Sequence, residues 1–148
     1  MGLLDRIRDG TYVPDDEPGA RWAPESAATS LAETADRIAA GGDTLIAARD
    51  FLDQVGWVPD DVLERLLLVR PAETGSEKAD ALLAALAEHL AATRGLACPS
   101  WTHEPGRFLD RFWFVSSTPG LRAIAISQTP IALKRRGILW PESSLRRV

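Results

Sequence analysis

The 148-residue sequence is poor in the residues that build disulfides or metal sites, since it contains one cysteine, one methionine and two histidines. The single cysteine, Cys98, cannot form a disulfide within the chain, which is typical of proteins in a reducing cytoplasm. No apolar run approaches the about 20 residues that a membrane-spanning helix needs. The first ten residues, "MGLLDRIRDG", also do not resemble a secretory signal. We therefore expect a cytoplasmic protein.

The sequence also lacks recognisable catalytic motifs. Cys98 and His103 are separated by four residues, but zinc needs three or four ligands and the only other histidine, His89, falls on a helical stripe. Nothing around Cys98 resembles the donor groups that a cysteine–histidine nucleophile requires. No phosphate-binding loop, dinucleotide fingerprint or serine elbow is present. We predict that the protein is not an enzyme and binds no metal or cofactor.

Charge is unevenly distributed along the chain. Residues 1–97 carry 18 acidic and 9 basic side chains, whereas residues 98–148 carry 3 acidic and 8 basic ones. Such asymmetry indicates either a basic surface that binds a partner or an acidic half that packs against a basic half. The sequence leaves both alternatives open.

Four helical segments with clear start and stop signals predict an all-α fold. Ser30 and Glu33 have the spacing of a capping box, as do Thr74 and Glu77, while Asp43 begins another helix. Glycine follows three of these four helical segments, and Gly95 is the one that ends the fourth. The third segment, residues 60–70, is apolar over most of its circumference, so we expect it to be central. We predict a small helical bundle over residues 26–97, preceded by a flexible N-terminal arm of residues 1–25.

Residues 98–148 are predicted to form an aromatic and basic subdomain that packs on this bundle. If the stretch "EPGRFLDRFWFV" is helical, Phe108 and Phe112 share one apolar face with Leu109 and Trp113, and that face belongs in the core. The same residues also suit a strand, so one short hairpin between 112–115 and 138–140 is compatible with the pattern. Two short helices are predicted after Thr118-Pro119 and Thr129-Pro130.

Arginine and aromatic residues together are enriched at protein interfaces, and they are concentrated in this C-terminal part. We predict that the surface that binds a partner is formed by Trp101, Arg107, Arg111, Phe114, Lys134, Arg135 and Arg136. An alternative is weak nucleic-acid binding by the basic C-terminal helices. A further alternative is that these residues pair with the acidic half of the same chain.

The C-terminal block resembles a segment found in actinobacterial antitoxin-like proteins. The pattern begins with a Trp-Thr-x-Glu-Pro-x-x-Phe-Leu unit, continues with aromatic residues and Leu-Arg-Ala-x-Ala, and ends with Ala-x-x-(Lys/Arg)-Arg-x-Gly-Ile. The matching residues are Trp101, Thr102, Glu104, Pro105, Phe108, Leu109, Leu121, Arg122, Ala123, Ala125, Ala132, Arg135, Gly137 and Ile138. The preceding segments "LAETADRIAAGGDTLIAARDFLDQV" and "ALLAALAEHLAATRGLACPSW" are similar to the same group.

This resemblance implies a protein that neutralises a nucleotidyltransferase-like toxin by covering it, without chemistry of its own. Members of the group often carry a repressor-type helix-turn-helix at the N-terminus, but the first 25 residues of this chain are too short for one. The resemblance therefore does not carry over DNA binding or autorepression. A small nucleic-acid-binding transcriptional regulator is the alternative function, and a homodimer is compatible with either.

Overall fold

The computed structural model describes residues 29–116 and 118–146 and confirms the all-α prediction. The predicted N-terminal arm of residues 1–25 lies outside the described residues. The described elements are α1 (Leu31–Ala39), α2 (Thr44–Val55), α3 (Asp60–Leu68), α4 (Glu77–Arg94), two 3-10 turns (Ser100–His103 and Pro105–Arg107), β1 (Trp113–Phe114), a third 3-10 turn (Pro119–Leu121), α5 (Arg122–Gln128), α6 (Ile131–Lys134), β2 (Ile138–Leu139) and α7 (Glu142–Leu145). Within the described residues, no helix has both the length and the apolarity to cross a membrane.

The ends of the first four helices follow from local sequence. The Ser30 hydroxyl accepts a hydrogen bond from the Glu33 amide, and the Asp43 carboxylate accepts one from the Ile46 amide, so both residues cap helices as predicted. Gly95 ends α4 with a φ of 67°, a left-handed conformation that costs other residues more than glycine. Ser30, Asp43 and Gly95 therefore act at the helix ends where the sequence predicted them.

One predicted cap lies two residues too early. The side chain that caps α4 is that of Ser76, which accepts a hydrogen bond from the Ala79 amide. The Thr74 hydroxyl instead lies 2.9 Å from the carboxylate of Asp80, which also accepts from the Thr74 amide. The carboxylate of Asp80 is buried, and these two donors compensate for its loss of water.

The central helix is α4, not α3 as the sequence predicted. Every residue from Ala79 to Ala87 is buried, whereas Leu68 and Val69 at the end of α3 remain 59% and 48% exposed. The alanines of α4 let neighbouring elements approach closely on all sides, so this helix is buried around its whole circumference. The apolar circumference of α3 predicted burial, but its last turn lies at the surface.

Two hydrophobic clusters lie on opposite sides of α4. One joins α4 to α1, α2 and α3 and includes the fully buried Leu63 and Leu83, together with Trp101. The other joins Leu82 and Leu86 of α4 to residues of α6 and β2. Burying a leucine side chain completely stabilises the folded state by about 1.5–3 kcal/mol relative to leaving it exposed. The C-terminal part therefore packs on the bundle through α4.

The aromatic stretch is not α-helical. After the 3-10 turn at Pro105–Arg107 the chain passes through bends, and β1 begins at Trp113. Trp113 packs against the second cluster, whereas Phe112, just before the strand, is 75% exposed. The shared apolar face that a helix would have given Phe108, Phe112, Leu109 and Trp113 is absent from this segment, and Phe112 is not in the core.

The two segments considered for a hairpin do pair, but in parallel. Trp113 lies opposite Ile138 and Phe114 opposite Leu139. Parallel strands require a crossover connection, and here the connection contains α5 and α6. The sequence allows one short hairpin at this position, and the structure instead has a parallel pair there.

The two short helices are present, but their caps differ from the prediction. Thr118 makes no side-chain capping bond and precedes a 3-10 turn. The hydroxyl of Thr129 donates to the carbonyl of Ala125, so it closes α5 rather than opening α6. The residue before α6 is Pro130, whose side chain has no atom that could accept a capping hydrogen bond.

Candidate partner-binding surface

Trp101 and Arg107, two of the predicted partner-binding residues, lie inside the fold. The indole nitrogen of Trp101 donates a 2.8 Å hydrogen bond to the carbonyl of Leu67. The Arg107 guanidinium lies 5.0 Å from the centroid of the Trp101 ring and donates to the carbonyl of Pro71 at 2.7 Å. Both side chains are less than 10% exposed. They hold the two 3-10 turns against the bundle and do not form a surface.

Arg136 is completely buried. Its guanidinium donates to the carbonyls of Ala132 at 2.9 Å and Thr102 at 2.8 Å, and it forms an ion pair with Glu88. The same group lies 4.7 Å from the centroid of the Phe108 ring. Its Nε atom has no partner among the described residues. Arginine is the side chain best suited to such a site, because its fork of donors reaches several acceptors at once.

Arg135 shares the carboxylate of Glu88 with Arg136. One carboxylate oxygen of Glu88 lies 3.0 Å from the Arg135 guanidinium, and the other contacts Arg136. Glu88 belongs to the acidic half of the sequence. Pairing between the two halves of the chain, one of the alternatives that the sequence left open, is therefore what the structure shows for these two arginines.

His103 connects Arg135 to the only cysteine. Because the Arg135 guanidinium can only donate, the Nε2 atom of His103, 2.8 Å away, is the acceptor. The Nδ1 atom then carries the proton and donates to the Thr102 hydroxyl at 3.1 Å. That hydroxyl donates to Pro99 at 2.8 Å and lies 3.3 Å from the sulfur of Cys98. The imidazole thus lies between an arginine and a threonine.

Two of the predicted basic residues remain available at the surface. Arg111 is exposed and Lys134 is half-buried, and neither makes an ion pair, side-chain hydrogen bond or ring contact with the described residues. Both lie beside Gly137: its amide donates to the Lys134 carbonyl, and a Cβ atom there would lie 3.3 Å from the Arg111 carbonyl oxygen. The two cations therefore belong to one region of the surface.

Phe114, the last of the predicted residues, is half-buried beneath another cation. The Arg122 guanidinium of α5 lies 5.1 Å from the centroid of the Phe114 ring. Cation–π contacts at partly exposed sites contribute about 0.5–1 kcal/mol. This contact connects the start of α5 to β1.

The most exposed apolar side chains of the C-terminal part were not among the predicted site residues. Residues 118–128 are named the arm from here on and are distinct from the predicted N-terminal segment of residues 1–25. They contain Leu121, Ile124 and Ile126, which are 41%, 40% and 55% exposed. Phe112 and Ile131, on either side of the arm in sequence, are 75% and 77% exposed. Large apolar side chains that remain exposed together often mark an interaction site.

The arm is attached to the rest of the fold by one side of α5. Ala125 is its only fully buried apolar residue, and the Thr129 that follows is also buried. On the opposite side of the helix lie Ala123 and Ser127, both exposed. The Ser127 hydroxyl donates to the carbonyls of Ala123 and Ile124, so a partner could cover it without leaving an unpaired donor.

One sequence signal could have identified this region. Residues 111–141 contain five basic side chains and not one aspartate or glutamate. Helical surfaces of soluble proteins normally mix charges of both signs, so a long acid-free stretch with exposed isoleucines is unusual. Arginine and aromatic residues alone do not reveal this region, because its exposed apolar side chains are mostly aliphatic.

The perturbed ionisable groups of this part have structural causes. The hydrogen bond from Arg70 lowers the pKa of Glu104 and raises that of Arg70, and the pair is bidentate with two distances of 2.7 Å. Burial lowers the pKa of Arg107, and Asp80 opposes that effect. Each group joins elements that are distant in sequence, which explains its perturbation without a catalytic role.

Two open clefts lie beside α7. One is lined by Arg49, Asp50 and Asp53 of α2 and by residues of α7, and the other runs from Ser127 to Pro130 and across to Glu142. Neither lining contains a histidine or a cysteine. Among the described residues, no group of three or more histidine, cysteine, aspartate or glutamate side chains could hold a metal ion.

Comparison with known proteins adds no relative. The sequence matches no protein-family model, and neither curated proteins nor solved structures show significant similarity to it.

Proposed function

We propose that the chain is a non-catalytic protein-binding module of the antitoxin type, which covers a nucleotidyltransferase-like toxin. The observation that carries the proposal is the group of exposed apolar side chains at Phe112, on the arm and at Ile131. Leaving such side chains in water weakens the hydrophobic stabilisation of the fold, and a partner that buried them would recover it. The named partner class comes from the family resemblance of the sequence.

The charges at this surface support a protein partner. Arg111 and Lys134 are unpaired within the described residues and lie near the exposed apolar side chains in sequence. Basic residues beside exposed apolar ones in the chain are consistent with a protein interface, in which a polar rim surrounds the buried anchors. Inhibition would follow from occlusion, since the chain needs no chemistry to block access to another protein's site.

The proposal is tested by co-expressing the chain with a nucleotidyltransferase-type protein encoded beside its gene. We expect a stable complex to be recovered by affinity capture, and nucleotidyl transfer by the partner to fall as the chain is added. Absence of a neighbouring reading frame of this type, or a complex that leaves transfer unchanged, would contradict antitoxin function.

Nucleic-acid binding is the second candidate, and the acid-free stretch of residues 111–141 favours it. The basic surface available to nucleic acid is small, because Arg136 is buried and Arg135 is paired with Glu88. We therefore expect duplex DNA to bind weakly and to be released by moderate salt. Tight, sequence-selective binding by the isolated chain at physiological salt would instead favour a transcriptional regulator.

A further inference from the structure

We infer that the arm inserts into an apolar groove of the protein partner and that carboxylates line the rim of this groove. The inference rests on the proposed function and specifies where and how the partner binds. Three features support it. They are the exposed apolar side chains of the arm, the single buried apolar residue by which the arm packs on the rest of the fold, and the basic charge of the neighbouring residues.

The exposed surface of the arm is apolar on more than one side. Ile124 and Ile126 lie on either side of the outward-facing Ala123 and Ser127, and Leu121 precedes them at the start of the helix. A flat partner surface would cover only the outermost side chains. A groove would cover both isoleucines at once, and the small residues between them would allow a close approach.

Ion pairing does not oppose burial of the arm. Arg122 is the only charged residue among residues 118–128, and its guanidinium is already placed over the Phe114 ring. Ile124, Ile126 and the small residues between them can therefore lose water without burying a charged group, as long as Arg122 keeps its exposed place over the Phe114 ring.

The charge of the surroundings selects an acidic partner rather than a second copy of the same surface. Residues 111–141 carry basic side chains and no acidic ones, and Glu142, across the cleft from Ser127, is already paired with Arg146, so pairing two arms would bring like charges together. Carboxylates at the rim of a groove would instead attract Arg111 and Lys134, which have no acidic partner within the described residues. Complementary charge of this kind accelerates association and fixes orientation.

The experiment measures the affinity of the purified chain for the co-expressed nucleotidyltransferase-type protein. The double substitution Ile124→Ser and Ile126→Ser should weaken binding at least about 10-fold, as expected for interface anchors, without changing the melting temperature. The matched control is Trp57→Ser, which removes an 81% exposed apolar side chain before α3 and should leave affinity unchanged. A single Ile126→Ser variant serves if the double variant is less stable.

Charge reversal tests the acidic rim. Arg111→Glu with Lys134→Glu should slow association about 10-fold or more at low salt and weaken its salt dependence, whereas Lys134→Arg should behave like the wild type. Unchanged association rates would overturn the acidic-rim part of the inference.

The outcomes separate the inference from the proposed function. If the wild-type chain forms the complex and the isoleucine variant binds equally well, the inference is overturned and the proposed function stands. If the wild-type chain binds no nucleotidyltransferase-type protein, both are overturned. Sedimentation velocity of the chain alone provides the remaining control, since a dimer that dissociates in the isoleucine variant would assign the arm to a second copy instead.

Discussion

Glu88 of the central helix forms an ion pair with Arg136, which lies 48 residues later in the chain and has no exposed surface. The pair joins α4 to the loop between α6 and β2, and the same arginine reaches the carbonyl of Thr102. A basic residue that the sequence suggests for a partner surface is thus part of the interior.

Removing the carboxylate should be costly. We expect Glu88→Ala to destabilise the fold by about 3–5 kcal/mol, because it leaves the buried guanidinium of Arg136 without its counter-charge. Urea denaturation measures the change. The control is Asp50→Ala, which breaks the exposed pair with Arg37 and should cost about 1 kcal/mol or less. Equal losses in the two variants would contradict the structural role of Glu88.

Phe112 should be dispensable for folding. Because its side chain is 75% exposed, Phe112→Ala should change the free energy of unfolding by no more than about 0.5 kcal/mol. Leu83→Ala, at a fully buried position of α4, should cost about 2–5 kcal/mol. Thermal melting of both variants provides the comparison, and loss of folding on Phe112→Ala would restore the helical core predicted from the sequence.

Gly137 should not tolerate a side chain. Its φ of 81° is left-handed, and a Cβ atom would lie 3.3 Å from both the Arg111 carbonyl oxygen and the Leu109 Cβ atom. We expect Gly137→Ala to cost at least about 1–2 kcal/mol. Gly106→Ala is the matched control, since a Cβ atom there meets nothing within 4 Å. Denaturant midpoints that shift equally would show that the turn at Gly137 is not constrained.

His89 should make the fold less stable in mild acid. Burial lowers its pKa from the ordinary value of 6.5, while Glu142 opposes this effect and Arg146 adds to it. The unfolded chain then takes up a proton more readily than the folded chain, so the stability present above the ordinary pKa falls as the pH drops below it. His89→Gln should lose less stability between about pH 7.5 and pH 5.5.

The measurement is the free energy of unfolding at both pH values. Glu104→Gln provides the comparison for a carboxyl group: the Arg70 hydrogen bond lowers its pKa, so its contribution is present near neutral pH and is lost only as the pH falls through the acidic range. If the wild type and His89→Gln showed the same pH dependence, burial of His89 would not control this behaviour.

The sequence alone determined the ends of the first helices and the fold class. Ser30, Asp43 and Gly95 act through backbone groups a few residues away, so their spacing is sufficient to predict their roles. The apolar periodicity of the bundle is equally local. It could not show which helix is central, because that depends on how many neighbours each helix meets.

Only the tertiary structure decided the fate of the C-terminal aromatic and basic residues. Arg136 is buried because Glu88 and the carbonyl of Thr102 reach it from distant parts of the chain, whereas Lys134, two residues earlier, has no such acceptors among the described residues. Phe112 and Trp113 differ because a parallel strand pair fixes which side faces α4. A local pattern contains the chemistry of each side chain, but burial depends on groups that only the folded chain brings together.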